Sequence, residues 1–188
     1  MREPASLANH FLIAMPGLDD PNFSRGVTLM CHHDANGAMG LLLNRNTDFL
    51  LGELMAQMGF HDVDSKLAAQ PVLCGGPVEP ERGFVLHSPD AGPYESSFSI
   101  SEHIMLTTSR DVLEALARGA GPRHAVIALG YAGWGAQQLE AELLQHAWLS
   151  VDASAEVVFQ VPPERRWDAA ARLIGFDPST LSHYSGHA

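Results

Sequence analysis

The stretch from Ala125 to Leu149, AVIALGYAGWGAQQLEAELLQHAWL, does most to narrow what this chain can fold into. Ala125 to Leu129 has the length and β-branched content of a buried strand. Gly130, Gly133 and Gly135 follow directly and read as a glycine turn. From Gln137 a helix is expected, because Leu139, Leu143 and Leu144 recur at helical spacing and leave Gln138, Glu142 and Gln145 for a wet face. A strand that feeds a glycine turn and a helix N-terminus is an arrangement that can bind anions, since free backbone N–H groups converge there. The spacing G-x-x-G-x-G, with no lysine after it, matches neither the dinucleotide fingerprint nor the phosphate loop. Close packing around Trp134 is the simpler reason for the glycines, and Glu140 and Glu142 suit the positive end of the helix dipole.

The remaining segments read in order. After a loose arm over residues 1–9, Phe11 to Ala14 suits a strand, and Asp19 to Asn22 a turn leading into Phe23. Val27 to His32 and Gly40 to Asn44 are expected to pair as a hairpin with a loop of several residues around Asp34-Ala35-Asn36-Gly37. Leu51, Leu54, Met55 and Met58 predict a short helix ending at Gly59. Pro71 to Cys74 and Gly83 to His87 read as strands of a second hairpin, and residues 89–96 as an exposed loop. Ile104 to Leu106 is β-like. Thr108 with Asp111 forms a capping-box pattern for a helix running to Arg118, with Val112, Leu113 and Leu116 inward. Val157 to Val161 reads as a strand. Pro162-Pro163 opens a last helix with Trp167, Ala170, Ala171 and Ile174 on its inner face before Gly175. Residues 177–188 show no periodicity. Hairpin-like strands among about four short helices predict an α+β fold: a single compact domain, residues 1–188, with a mixed, largely antiparallel sheet.

Composition sets limits on function. Apolar residues make up 46% of the 188 residues, a globular balance that one full core can satisfy. The 22 acidic residues against 11 Lys and Arg leave a net charge of -11, which repels phosphate backbones and anionic lipid surfaces. Direct nucleic-acid contact is therefore disfavoured. The helices expected over 108–118 and 163–174 also lack a basic face with a second DNA-contacting helix beside it. Two cysteines, Cys31 and Cys74, are not a disulfide framework and suit a reducing compartment. The apolar run Phe11 to Met15 is too short for a signal-peptide core or a membrane span, so a cytoplasmic protein is expected.

Three constellations could carry chemistry. Cys31-His32-His33-Asp34 contains the main zinc-ligand types, but along a regular strand only Cys31 and His33 share a face, and no C-x-x-C or H-E-x-x-H completes a site. His183 and His187 in the tail add little to it. Cys74 and His87 could make a thiol and base pair if the second hairpin forms. No G-x-S-x-G elbow is present. No metal or cofactor is expected.

Taken together, NHFLIAMPGLDDPNF, HHDANGAMGLLLNR, CGGPVEPERGFVLHS, TSRDVLEALARG, GYAGWGAQQLEAEL with AWL behind it, and the closing GHA resemble the AlgH/YqgE family of bacterial proteins. The resemblance covers nearly the whole chain in the same order. It implies a compact α+β fold and a cytoplasmic bacterial protein from a family without an established biochemical activity, whose members are often labelled transcriptional regulators. The family's characteristic positions fall on Pro16, Asp20, Phe23, Gly37, Gly40, Asn44, Gly75, Gly76, Pro77, Val78, His87, Gly130, Gly133, Trp134, Leu139 and Glu140. Gln137 replaces a glycine of the family pattern and Asn46 a proline.

The sequence thus points first to a non-catalytic regulatory or binding protein that acts through a protein partner or a small ligand. The expected binding residues are Asn44, Arg45, Gly75, Gly76, Pro77, His87, Gly133, Trp134 and Glu140. The alternative is a small enzyme using Cys31 or Cys74 with His87 or Glu140 as acid or base.

Overall fold

The stretch beginning at Ala125 forms one long strand, and the sheet is assembled on it. The computed structural model describes residues 5–15 and 24–175. Pro16, the turn expected around Asp19 to Phe23, and the histidines His183 and His187 lie outside them. In chain order the elements are β1 (His10–Ala14), β2 (Val27–Asp34), β3 (Gly37–Leu42), β4 (Asn46–Leu50), α1 (Leu51–Gln57), α2 (Ser65–Ala68), β5 (Pro71–Cys74), β6 (Val78–His87), β7 (Ser97–Ser99) and β8 (Met105–Thr107). There follow α3 (Asp111–Ala117), β9 (Ala125–Gly135), α4 (Gln138–Leu144), β10 (Trp148–Asp152), α5 (Ala155–Phe159) and, after a 3-10 turn at Pro163–Arg165, α6 (Arg166–Ile174). The curled sheet runs β10-β1-β2-β3-β9-β6-β8-β7, with β4 and β5 joined to it at β9. Among the described residues only the β5–β9 pairing is parallel, so the fold is α+β with a mixed, largely antiparallel sheet.

The glycines of β9 are strand residues, not a turn. One edge of β9 is shared by β5, which pairs Cys74 with Leu129, and by β3, which pairs Gly40 with Ala132. The other edge is held by β6, from Val78 opposite Tyr131 to His87 opposite Ala125. Between Cys74 and Val78 the chain therefore passes from one edge of β9 to the other, and it does so against the β9 backbone. A Cβ on Gly76 would lie 2.2 Å from the Tyr131 carbonyl carbon, and one on Gly130 would lie 2.4 Å from the Gly76 oxygen. Both glycines also have positive φ, 155° and 79°. No side chain fits at this crossing, so the Gly75-Gly76 and Leu129-Gly130-Tyr131 motifs are two halves of one close approach. The expected hairpin of β5 with β6 is absent for the same reason, since the two strands lie on opposite edges of β9.

Helices cover both faces. Val157, Val158, Trp167, Ala170 and Ala171 of α5 and α6 pack on Phe11, Leu29, Leu41, Leu86 and Ala128. On the other face, α1 and α3 bury Leu51, Met55, Val112 and Leu116 against Val72, Val85 and Ile127. Leu139 of α4 packs beside Leu12, Met30, Trp134 and Trp148. Leu144, expected on that inner face, is 82% exposed, because α4 ends there and its inner face is carried by Leu139.

Several sequence expectations are corrected. Val157 to Val161 is not a strand: Ser154 Oγ accepts from the Val157 N–H and starts α5 over that segment. The edge strand next to β1 is instead β10, paired with it along Trp148 to Asp152. The β2–β3 hairpin has a two-residue loop, Ala35-Asn36, closed by Asp34 Oδ1 accepting from the Asn36 N–H at 2.7 Å. The Thr108 capping box does not form; Asp111 instead accepts from the Glu95 N–H and from Ser109 Oγ. Residues 5–9, expected as part of a loose arm, are tied to β2 by the Asn9 N–H to Met30 O, Ser6 Oγ to His33 O and the Leu7 N–H to His33 Nδ1.

One buried charge was not anticipated. Arg166, 5% exposed, donates to the carbonyls of Val157, Val158, Val161 and Leu43. It caps the C-terminal carbonyls of α5 and fastens them to the end of β3. Burial lowers the guanidinium pKa to about 10, so it stays charged at neutral pH.

Candidate functional site

An open trough of about 700 Å³ lies on the face of the sheet that carries α5 and α6. Two irregularities in the strands decide what lines it. In β2 the register slips at Cys31, so that Met30 pairs with Gly40 but His32 with Met39 and His33 with Ala38. The slip leaves Cys31 and His32 on the trough side and turns His33 to the opposite face. Cys31 and His33 thus do not share a face, contrary to regular alternation. In β6 the residues from Glu79 to Arg82 bulge out, since Val78 opposes Tyr131 while Gly83 opposes Leu129. That bulge sets Arg82 at the trough.

The trough is aromatic with one guanidinium. The Arg82 guanidinium lies 5.3 Å from the Phe84 ring centre, and Phe84 meets Tyr131 edge-on at 5.8 Å. Phe98 of β7 lines the trough and is 44% exposed, and Met39, Leu106 and Gly133 complete its apolar lining. Arg82 Nη1 reaches Glu79 Oε2 at 3.3 Å, an exposed ion pair. At the hairpin end, His32 Nε2 lies 2.8 Å from Asp34 Oδ2. The Asn36 N–H, and secondarily His32, hold the Asp34 carboxyl below its usual range.

A second polar cluster backs the opposite face. His33 Nδ1 accepts from the Leu7 N–H at 2.9 Å, so Nε2 carries the ring proton and donates to Glu140 Oε1 at 2.6 Å. This bond is the largest cause that depresses the Glu140 pKa. Trp134 Nε1–H donates to Glu142 Oε2 at 2.6 Å, and Trp148 meets Trp134 edge-on at 6.2 Å. Glu140 and Glu142 therefore fasten α4 to the sheet by side-chain bonds.

Of the residues expected from sequence, Gly133 and Trp134 line the trough. Asn44 accepts from the Val27 N–H and donates to Arg25 O, and Arg45 donates to Ser24 O, so both brace the segment entering β2. Gly75 and Gly76 are buried in the crossing over β9, with Pro77 exposed beside them. His87 is 1% exposed; its Nδ1–H donates to Ser88 O at 2.8 Å and its Nε2 accepts from Thr107 Oγ1 at 2.7 Å. Arg82, Phe84, Phe98 and Tyr131 were not singled out. Arg82 and Phe84 stand within the CGGPVEPERGFVLHS motif, but their meeting with Tyr131 depends on the register across β6 and β9.

The thiols stand apart from acid–base groups. Burial pushes the Cys31 thiol up to about 12, and its Sγ contacts Leu29 O. Cys74 Sγ contacts Gly76 O, while His87 is committed to Ser88 and Thr107. Cys74 and His87 are thus not paired, because the hairpin that would align them does not form. Among the described residues no three His, Cys, Asp or Glu side chains are grouped to hold a metal ion. No described helix is long and apolar enough to cross a membrane.

Comparison with known proteins agrees with this architecture. A family model described as AlgH-like matches residues 11–179. A UPF0301 protein of Xanthomonas campestris pv. campestris is 55% identical over 185 residues, covering 98% of each chain. A UPF0301 protein of Stenotrophomonas maltophilia is 55% identical over 184 residues, covering 98% of this chain and 97% of its own. The solution structure of the AlgH protein from Pseudomonas aeruginosa superposes with a TM-score of 0.79 at 44% identity, over 100% of this chain and 99% of that one. A crystal structure of a Corynebacterium diphtheriae protein shares the fold at a TM-score of 0.74 and 18% identity, over 100% and 95% of the two chains. The chain belongs to the AlgH-like family.

Proposed function

We propose that this protein is a non-catalytic, regulatory binding protein of the cytoplasm, acting as one domain through the trough between β2, β6, β7 and β9. The observation that carries this reading is the Arg82 guanidinium held over Phe84, with Tyr131 edge-on to that ring, in an open, aromatic trough. Concave sites of about 300–1,000 Å³, mostly apolar with a few placed polar groups, are the usual form of small-ligand sites. The regulatory effect passes through a small ligand or a protein partner rather than through DNA, a route supported by the net charge of -11. The enzyme alternative draws no support from its own residues, since Cys31 and Cys74 have no hydrogen bond to an imidazole or carboxylate among the described residues.

The test is a two-dimensional amide NMR titration with mixed aromatic, aliphatic, acidic and basic fragments. Shifts gathered on Met39, Phe98, Tyr131 and Gly133 are expected. Shifts gathered on Asn44, Arg45 and Gly76 instead would move the site to another surface. Turnover of a fragment at an ordinary enzymatic rate would overturn the non-catalytic reading.

A further inference from the structure

We infer that the trough takes an amphipathic monoanion, an aryl carboxylate whose carboxylate lies on Arg82 and whose ring lies along Phe98 and Tyr131. The inference rests on the binding reading above and adds the chemical class of the ligand.

Among the described residues, Arg82 is the only Lys or Arg side chain that lines the trough. Its guanidinium is steadied over the Phe84 ring, and the one hydrogen bond it makes among the described residues runs from Nη1 to Glu79. A guanidinium has five N–H donors, so most of its fork is free to receive a carboxylate through two parallel bonds. The competing Glu79 pair is half exposed on both sides, and such pairs are weak. A ligand carboxylate that arrives with apolar area to bury therefore displaces Glu79.

The other charge at the trough is already engaged. Asp34 accepts from the Asn36 N–H through Oδ1 and faces His32 through Oδ2. It offers little to an ammonium, yet its charge, with that of Glu79 and of the chain as a whole, opposes a second negative group on the ligand. One guanidinium among carboxylates selects a single anionic charge over a phosphate dianion or a dicarboxylate.

Ring contacts choose the ligand body. Phe84, 3% exposed, backs Tyr131 edge-on from the core, and Phe98 presents 44% of its surface at the same trough. A flat ring covers these aromatic surfaces in offset or edge-on geometry and removes exposed apolar area at low entropic cost.

The experiment compares 2-naphthoate with 2-naphthamide, which keeps the ring and removes the charge, in amide NMR titrations of the full chain. Both are expected to shift Tyr131, Gly133 and Phe98, with naphthoate binding about tenfold more tightly, a typical worth for a charge-assisted pair. Arg82→Gln should bring the two affinities within about twofold, and Glu79→Gln should tighten naphthoate about threefold without changing naphthamide. Both side chains are about half exposed, so the variants are expected to fold. Equal affinities in the unmodified protein, with shifts in the trough, would overturn the carboxylate assignment and leave the binding site standing. Failure of naphthoate to shift trough residues would overturn the inference outright, and the mixed-fragment titration then decides the binding reading separately.

Discussion

His33 and Glu140, 107 positions apart, are joined by a 2.6 Å hydrogen bond that seats α4, the Leu7 N–H having fixed the imidazole tautomer from the other side. The His33 side chain is 4% exposed, so its Nε2–H has nowhere else to donate. Removing the acceptor should therefore cost more than the bond itself. Glu140→Leu is expected to destabilise the fold by about 1–3 kcal/mol, the penalty for a buried unsatisfied donor, and Glu140→Gln, which keeps an acceptor, by less. Urea unfolding midpoints of the three proteins check the order.

The same bond predicts a pH dependence with a definite sign. The His33 hydrogen bond holds the folded-state Glu140 pKa below its ordinary value, so folding favours the carboxylate. That stabilisation is fully present above the unfolded value of about 4.3 and is lost as pH falls through the lower folded value. The stability gap between the unmodified protein and Glu140→Gln should accordingly shrink below about pH 4. Denaturant unfolding between pH 3 and pH 6, on the order of half-unit steps, measures it.

The crossing over β9 makes a contrast between two glycines. Gly76→Ala would set a Cβ 2.2 Å from the Tyr131 carbonyl carbon at a φ of 155°, whereas a Cβ on Gly83 meets nothing within 4 Å among the described residues. Gly76→Ala is expected to cost about 3 kcal/mol or more, or to prevent folding, and Gly83→Ala to be neutral or to stabilise by up to about 1 kcal/mol. Thermal unfolding of both variants checks this.

These outcomes also show where the sequence was legible. Periodicity located α1, α3 and α6, and apolar runs located β1, β2, β5 and the start of β9, because each of those segments buries one face. Val157 to Val161 misled because five apolar-rich residues read alike as a buried strand or a short helix; Ser154, capping the segment, decides it. The trough was not legible because Arg82, Phe84, Phe98 and Tyr131 are brought together only by the Glu79 to Arg82 bulge and the curl of the sheet. Trp134 and Gly133 were picked as family positions, which carry no record of their partners across the sheet.

Thiol chemistry separates the two cysteines. With a pKa of about 12 in the folded protein, Cys31 is protonated at pH 8 and buried, so it should react with a disulfide reagent only on unfolding. Thiol counting before and after denaturation is expected to release one protected thiol. Rapid reaction of Cys31 in the native protein, identified by peptide mass, would revive the enzyme alternative.

Arg166 offers a test of the α5–α6 cover. Its guanidinium serves four backbone carbonyls from Nε, Nη1 and Nη2. A lysine cannot span that set, so Arg166→Lys should fail to rescue the loss of about 3 kcal/mol or more expected for Arg166→Ala. Unfolding midpoints of both variants decide it.

The trough as binding site is tested most directly by filling it. Among the described residues a Cβ on Gly133 would meet only Tyr131 Cε2, at 3.5 Å, and Gly133 is exposed, so Gly133→Leu should occupy the trough without disturbing the strand. The measurement is the amide NMR titration with 2-naphthoate, run on the unmodified protein and on Gly133→Leu side by side. Saturable shifts at Tyr131 and Phe98 are expected in the first and their loss in the second, with the rest of the spectrum preserved. Equal binding by a folded Gly133→Leu protein would place the ligand elsewhere and contradict the assignment.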